Sequence, residues 1–242
     1  MTDLAIVIPV YNEGESFRKV FDEIHSKVKT SFKIYAVYDF DEDTTAPIIK
    51  NLAQQYPQLI MGVRNNYGRG VVGAIKTGFE TACEPVILVT MGDLSDDLSD
   101  VDKMFSLIKN QGYDVVCGSR YMKGGRQEGG PKLKKLLSRF AGLSLKLLSG
   151  LLTHDPSNSF KMYRRSVLQS IALKSDGGFE IGMEITVKAF LKGYKITEIP
   201  TIWKDRTAGK SNFKLVQWIP KYLRWYFLAV SGRIKQLIAG RK

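Results

Sequence analysis

Five short runs rich in valine and isoleucine recur along the first half of this chain, and they limit its possible folds more than any other feature. They are LAIVIPV (4–10), KIYAVYDF (33–40), LIMGVRN (59–65), PVILVTM (85–91) and DVVCGS (114–119). Between them, apolar residues fall at the three-and-four spacing of one helix face, most clearly at Phe17, Val20, Phe21, Ile24 and Val28 within 14–29. Residues 44–56, 69–82 and 99–111 carry the same pattern. A strand covered on one face alternates apolar and polar residues, whereas these runs are almost wholly apolar. They predict a mostly parallel central sheet flanked by helices on both faces, Rossmann-like through residue 119.

The second half reads differently. A glycine-rich loop at 124–131 leads into a basic amphipathic helix at 132–150, a helix through 180–194 and a short strand at 195–203. No repeat or low-complexity segment appears, so residues 1–215 are expected to form one domain. The tail, 216–242, is expected to be an amphipathic helix, with Trp218, Tyr222, Trp225, Tyr226 and Phe227 beside Lys221, Arg224, Arg233 and Lys235. Such a helix suits a membrane interface, and aromatic residues at helical spacing also suit a core. No segment has the run of about eighteen apolar residues that spans a bilayer, and MTDLAIVIPV lacks the basic start of a signal peptide. A cytoplasmic protein, peripheral on the cytoplasmic face of a membrane, is the expectation. Cys83 and Cys117 lie in or beside apolar runs without metal-ligand spacing and read as core residues in a reducing compartment.

The 242 residues carry a formal charge of +12, which calls for an anionic partner. Zinc-ligand pairs and aromatic strand signatures are missing, which argues against nucleic acid. Ligands of an open parallel sheet lie beyond the carboxyl ends of the strands. Three stretches stand there. Pro9, Tyr11 and Glu13 follow the first strand, with Asn12 or Glu13 a possible helix cap. Asp39 and Asp41 follow the second, ahead of a cap at Asp43 or Thr44. In VTMGDLSDD, Asp93 stands two residues past the fourth strand, where it could hold a divalent metal that neutralises a diphosphate. Asp96 and Asp97 read as caps of the next helix. The stretch NNYGRGVVGAIKTGF (65–79) offers tight turns, with Arg69 and Lys76 as charges for phosphates, and it matches neither a Walker loop nor a dinucleotide fingerprint.

Taken in order, PVYNE, the carboxylate-rich second strand end, NxGxG, GDL, GSRY, DPSNSFKMYRR, GFEIGMEI, KAFLKGYKITEIP and DRTAGKS resemble the inverting glycosyltransferases of family two, over residues 4–215. Within that family the likeness is greatest to the dolichyl- or polyprenyl-phosphate mannose synthase branch. The resemblance implies a GT-A fold, a nucleotide-diphosphate sugar donor, a divalent cation (Mg or Mn) and inversion at the anomeric carbon. It puts Tyr11, Asp39 and Asp41 on base and ribose, with Asp93 as metal ligand. Ser119, Arg120, Arg206, Gly209 and Ser211 match positions around the phosphates of donor or lipid, with Lys210 beside them. Glu184 becomes either the general base for a hydroxyl acceptor or a structural carboxylate. The family's usual Asp-x-Asp is incomplete, because Met91 replaces its first aspartate. A site one carboxylate short would bind metal more weakly, or recruit water or Asp41.

The expectation is transfer of a sugar to a polyprenyl phosphate. Its alternatives are a transferase acting on a hydroxyl of a polysaccharide or glycolipid, and a catalytically weak nucleotide-sugar-binding subunit.

Overall fold

The first strand, β1 (Leu4–Pro9), shows how the chain uses its apolar runs. Its even residues Leu4, Ile6 and Ile8 pack on one face of the sheet, and Ala5 and Val7 pack on the other. Both faces are therefore dry, and no position in the strand is left for a polar residue. The computed structural model describes residues 2–205 and 215–239. Four of the alternating units follow as expected: α1 (Ser16–Lys27), β2 (Phe32–Tyr38), α2 (Ala46–Gln55), β3 (Ile60–Arg64), α3 (Val71–Thr81), β4 (Val86–Val89), a short 3-10 turn at Leu98–Asp100 with α4 (Val101–Lys109), and β5 (Val115–Ser119). Helices α1, α2 and α4 cover the even face of β1 through Phe17, Phe21, Ile49, Met104 and Ile108. Helix α3 covers the other through Val72 and Ile75. It lies so close that a Cβ on Gly78 would come within 2.3 Å of Val7 Cγ1.

The remaining elements are β6 (Arg126–Glu128), α5 (Lys132–Ser149), β7 (Lys161–Arg164), α6 (Arg165–Ser170), α7 (Ile181–Leu191), β8 (Ile196–Pro200), β9 (Ile202–Lys204) and α8 (Leu215–Ala239). The seven-stranded sheet has the order β3-β2-β1-β4-β7-β5-β8. Its pairings are parallel except at β7, which runs antiparallel to both β4 and β5. That strand escapes the periodicity because KMYR is four residues long with a cation at each end. Its Lys161 is fully buried, with Nζ donating to the carbonyls of Pro156 and Asn158. The single strand expected at 195–203 is two: β8 closes the main sheet, and β9 pairs with β6 in a separate two-stranded ribbon. Cys117 is buried as expected. Cys83 is exposed, because it lies past the end of α3 and outside the apolar run.

Helix α8 shares a third core with α5 and α7, built from Leu145, Leu151, Met183, Val187, Trp225 and Ala229. No helix among the described residues is long and apolar enough to cross a membrane.

Candidate functional site

Chain direction reverses its order in the sheet between β1 and β4: β2 and β3 lie to one side of β1, and β4 lies to the other. A crevice opens at such a switch point, beyond the ends of the two central strands. Its walls are the loops after β1 and β2, the glycine-rich loop before α3 and the loop after β4.

Asp43, which sequence reading reduced to a cap, ties two of these loops together. It is buried, and both its oxygens accept from the Asn12 N–H, at 3.1 and 3.0 Å, while Oδ1 also accepts from Thr45 N–H at 2.7 Å. Thr45 Oγ1 in turn accepts from Glu13 N–H at 2.9 Å. Asn12 is thereby held at a φ of 54°, a conformation asparagine tolerates better than most residues. The loop then presents Tyr11, half exposed, edge-on to Phe40 at 5.9 Å. The Arg69 guanidinium lies 4.7 Å from the other partner's ring, Phe40. An aromatic pair with a cation beside it therefore lines the β2 side of the crevice.

Asp39 holds the glycine-rich loop. It accepts from Asn65 Nδ2 at 2.7 Å and from Gly70 N–H at 2.8 Å, and Gly70 has a φ of 124° that side chains rarely adopt. Asp41 does not join it. It is exposed and paired with Arg64 Nη1 on the outer surface, so it is not recruited towards Asp93. Lys76 has partners within the protein as well. It sits inside α3, donates to the Ser175 carbonyl at 3.1 Å and lies against the Tyr67 ring.

Beyond β4 the chain turns through Leu94, with φ 58°, and Asp93 is half-buried, accepting from Ser95 N–H at 3.1 Å. Asp97 caps the 3-10 turn through Ser99 N–H, as expected. Asp96 is no cap. It is buried at the end of β4, where it accepts from Thr90 Oγ1 at 2.9 Å and from Met91 N–H. Burial, with the like charge of Asp93 adding to it, pushes its carboxyl up to about 6 against the hydrogen bond from Thr90. Its backbone also bridges Trp203, which fastens the loop to β9. Met91, where the resemblance implies a carboxylate, is partly buried against the Val7 side of the core. Among the described residues no group of three His, Cys, Asp or Glu side chains could hold a metal without help from a ligand.

Three of the expected site residues, Ser119, Arg120 and Glu184, have partners within the protein itself. Ser119 is buried, and its hydroxyl accepts from Met122 N–H. Arg120 is nearly buried and forks onto Asp155, with Nε–Oδ2 at 2.7 Å, Nη2–Oδ1 at 2.9 Å and its own N–H adding a third bond. Burial works to raise the Asp155 carboxyl, and the Arg120 charge and hydrogen bonds overcome it, holding it below its ordinary value. Glu184 is fully buried. It accepts from the N–H groups of Lys174 at 2.6 Å and Ser175 at 2.7 Å and pairs with Lys188, the surroundings that a structural carboxylate has. Arg206, Gly209, Lys210 and Ser211 lie outside the described residues.

The family model for glycosyl transferase family 2 matches residues 5–172. The chain belongs to that family. Among relatives of this glycosyltransferase, a dolichol-phosphate mannosyltransferase of Pyrococcus furiosus is 31% identical over 240 residues, which is 97% of this chain and 66% of that protein. This chain thus spans just under two thirds of that relative's length. A polyprenol monophosphomannose synthase of Mycolicibacterium smegmatis is 26% identical, covering 88% of this chain and 85% of that one. The fold is GT-A, shared with a glucosyl-3-phosphoglycerate synthase of Mycobacterium tuberculosis solved with Mn2+, UDP-glucose and phosphoglyceric acid. That likeness has a TM-score of 0.65 at 15% identity over 96% of this chain and 80% of that one. A Pyrobaculum calidifontis mannosyltransferase solved with GDP-mannose and Mn2+ gives 0.64 at 14% identity, over 99% and 75%.

Proposed function

We propose that this glycosyltransferase moves a sugar from a nucleotide-diphosphate donor to a polyprenyl phosphate at the cytoplasmic surface of a membrane. The observation that carries the reading is the outer face of α5. Leu133, Leu136, Leu137, Phe140, Leu143 and Leu147 are all exposed there, Phe140 at 70% and Leu147 at 85%, while the helix turns Gly142, Leu145 and Ser149 inward. An amphipathic helix with its apolar face outward, interleaved with Lys132, Lys134 and Arg139, matches a lipid surface and no aqueous one. The relatives' names, a dolichol phosphate and a polyprenol monophosphate enzyme, agree with it.

In this reading Tyr11 and Phe40 flank the donor base, and Asp39 holds the glycine-rich loop beside it. The donor diphosphate lies in the crevice against Asp93. A single strand-end carboxylate, completed by substrate phosphates, is a donor set that Mg2+ or Mn2+ accepts. When bound, such an ion would offset the charge that grows on the departing diphosphate. An oxygen of the acceptor phosphate attacks the anomeric carbon from the face opposite the departing diphosphate, and the bond to the diphosphate oxygen breaks with its electron pair. An ionised phosphate has no proton to surrender, so the commitment of Glu184 elsewhere leaves nothing undone. Arg206 and Lys210 supply cations, and Ser211 a hydroxyl, for the donor and acceptor phosphates.

The test is a panel of nucleotide sugars with Mn2+ and a short polyprenyl phosphate, read by mass spectrometry of the lipid product. A sugar-phosphate lipid from one donor supports the reading. Transfer only to a glycan hydroxyl, or only hydrolysis of the donor, sinks it.

A further inference from the structure

A second feature lies away from the crevice. An open cleft between α7 and α8 has a volume of about 620 Å³, a size in the range of small-molecule sites. Its floor is the buried ring of Trp225, with the Lys188 ammonium at 4.9 Å and the Arg224 guanidinium at 4.8 Å. Lys174 adds a third cation, and Phe227 and Ile234 form an exposed apolar rim. Lys188 is paired with Glu184. Lys174 and Arg224 have no carboxylate partner among the described residues, so the cleft keeps a net positive charge at one end and an apolar wall at the other. From Arg224 to Ile234 the helix rises about 15 Å, the reach of a phosphate headgroup, its glycerol and the first part of an acyl chain.

We infer that this cleft binds the headgroup of an anionic phospholipid, with Lys174 and Arg224 on the phosphate and the chain laid along Phe227 and Ile234. The acceptor lipid is a poor fit. Lys188 lies in the last turn of α7, which leads into the start of β8, and β8 runs parallel to β5. The cleft is thus towards the edge where these strands begin, whereas sugar transfer belongs at the edge where β1 and β4 end. Binding here would hold the enzyme on bulk anionic lipid while the crevice stays free. The inference rests on the membrane-surface reading above, and the two can fail separately.

The experiment uses the full chain and flotation with phosphatidylcholine vesicles, with and without phosphatidylglycerol. Lys174→Ala with Arg224→Ala is expected to remove most of the gain from phosphatidylglycerol, about tenfold or more in affinity for two charges, while binding to phosphatidylcholine alone persists. A matched loss of charge, Lys192→Ala with Lys195→Ala, at exposed lysines outside the cleft and off the α5 face, should keep most of the gain. An equal loss in both double variants would mean diffuse attraction and overturns the site. Short-chain phosphatidylglycerol below its micelle concentration should saturate the native protein, read by tryptophan fluorescence, and not the Lys174/Arg224 variant. Equal saturation by inorganic phosphate would overturn the lipid assignment. Failure of the membrane reading would look different: the native protein would float with neither vesicle.

Discussion

Arg120 and Asp155 meet across 35 residues of sequence in a forked ion pair, Nε to Oδ2 at 2.7 Å and Nη2 to Oδ1 at 2.9 Å, with the carboxylate fully buried. The pair joins the end of β5 to the turn ahead of β7. Removing one partner strands the other charge in the interior. Arg120→Ala is expected to cost about 3–5 kcal/mol of stability, measured by urea denaturation. A loss of donor affinity with unchanged stability would return Arg120 to the ligand.

Asp96 sets a pH dependence. Its carboxyl is raised from 3.8 to about 6 by burial first and by Asp93 second. A raised carboxyl binds its proton more tightly in the folded state. Stability from this group therefore falls as pH rises from about 4 to about 6 and then levels. The full effect is at most about 3 kcal/mol. Asp96→Asn, whose amide oxygen can still accept from Thr90, should flatten that stretch of the curve in metal-free buffer. Parallel curves for the two proteins would show that Asp96 ionises normally.

At the strand end, Asp93→Asn should abolish transfer with an unchanged melting temperature, because a half-exposed loop carboxylate contributes little packing. Met91→Asp should tighten Mn2+ binding in the presence of nucleoside diphosphate, followed by calorimetry. No change in metal affinity in either variant would exclude Asp93 as a ligand.

Glu184→Gln tests the acceptor chemistry. The change keeps the side-chain shape but removes the negative charge paired with Lys188 and one of the two acceptor oxygens for the Lys174 and Ser175 N–H groups, so stability should fall by about 1–3 kcal/mol. Below the new melting temperature, the acidic limb of the pH profile for kcat/KM should stay where it was. Its disappearance would make Glu184 the base after all.

Helix α8 is expected to be inseparable from the domain. Trp225→Ala should cost about 3–5 kcal/mol, and deletion of residues 215–242 should abolish cooperative unfolding by exposing Leu145, Met183 and Val187. A truncated protein with a sharp transition would show that the α5–α7 surface is stable uncovered.

The parts of the molecule that sequence reading recovered are those whose information is local. Period two and period 3.6 act within a few residues, and so β1 to β5 and the helices between them were legible. Because parallel strands all point one way, Tyr11, Asp39 and Asp93 were legible at one edge of the sheet as well. Of the aromatic residues on α8, Trp225 is buried in the core with α5 and α7, as one of the two expectations for that helix has it, and Phe227 is exposed.

Charged side chains behaved otherwise, because nothing in the local pattern says which opposite charge or carbonyl the fold will bring near. Lys161 disguised a central strand, and only the folded turn at 156–158, with its carbonyls around Nζ, makes that burial tolerable. Arg120 and Glu184 stood at positions suited to phosphate and proton chemistry, and the fold gives them partners, Asp155 and the amides of Lys174 and Ser175, that no local pattern announced. Backbone periodicity is dictated along the chain, residue by residue. The fate of a charge is a competition between solvent, ligand and distant partners, and it is decided only when the chain has closed around it.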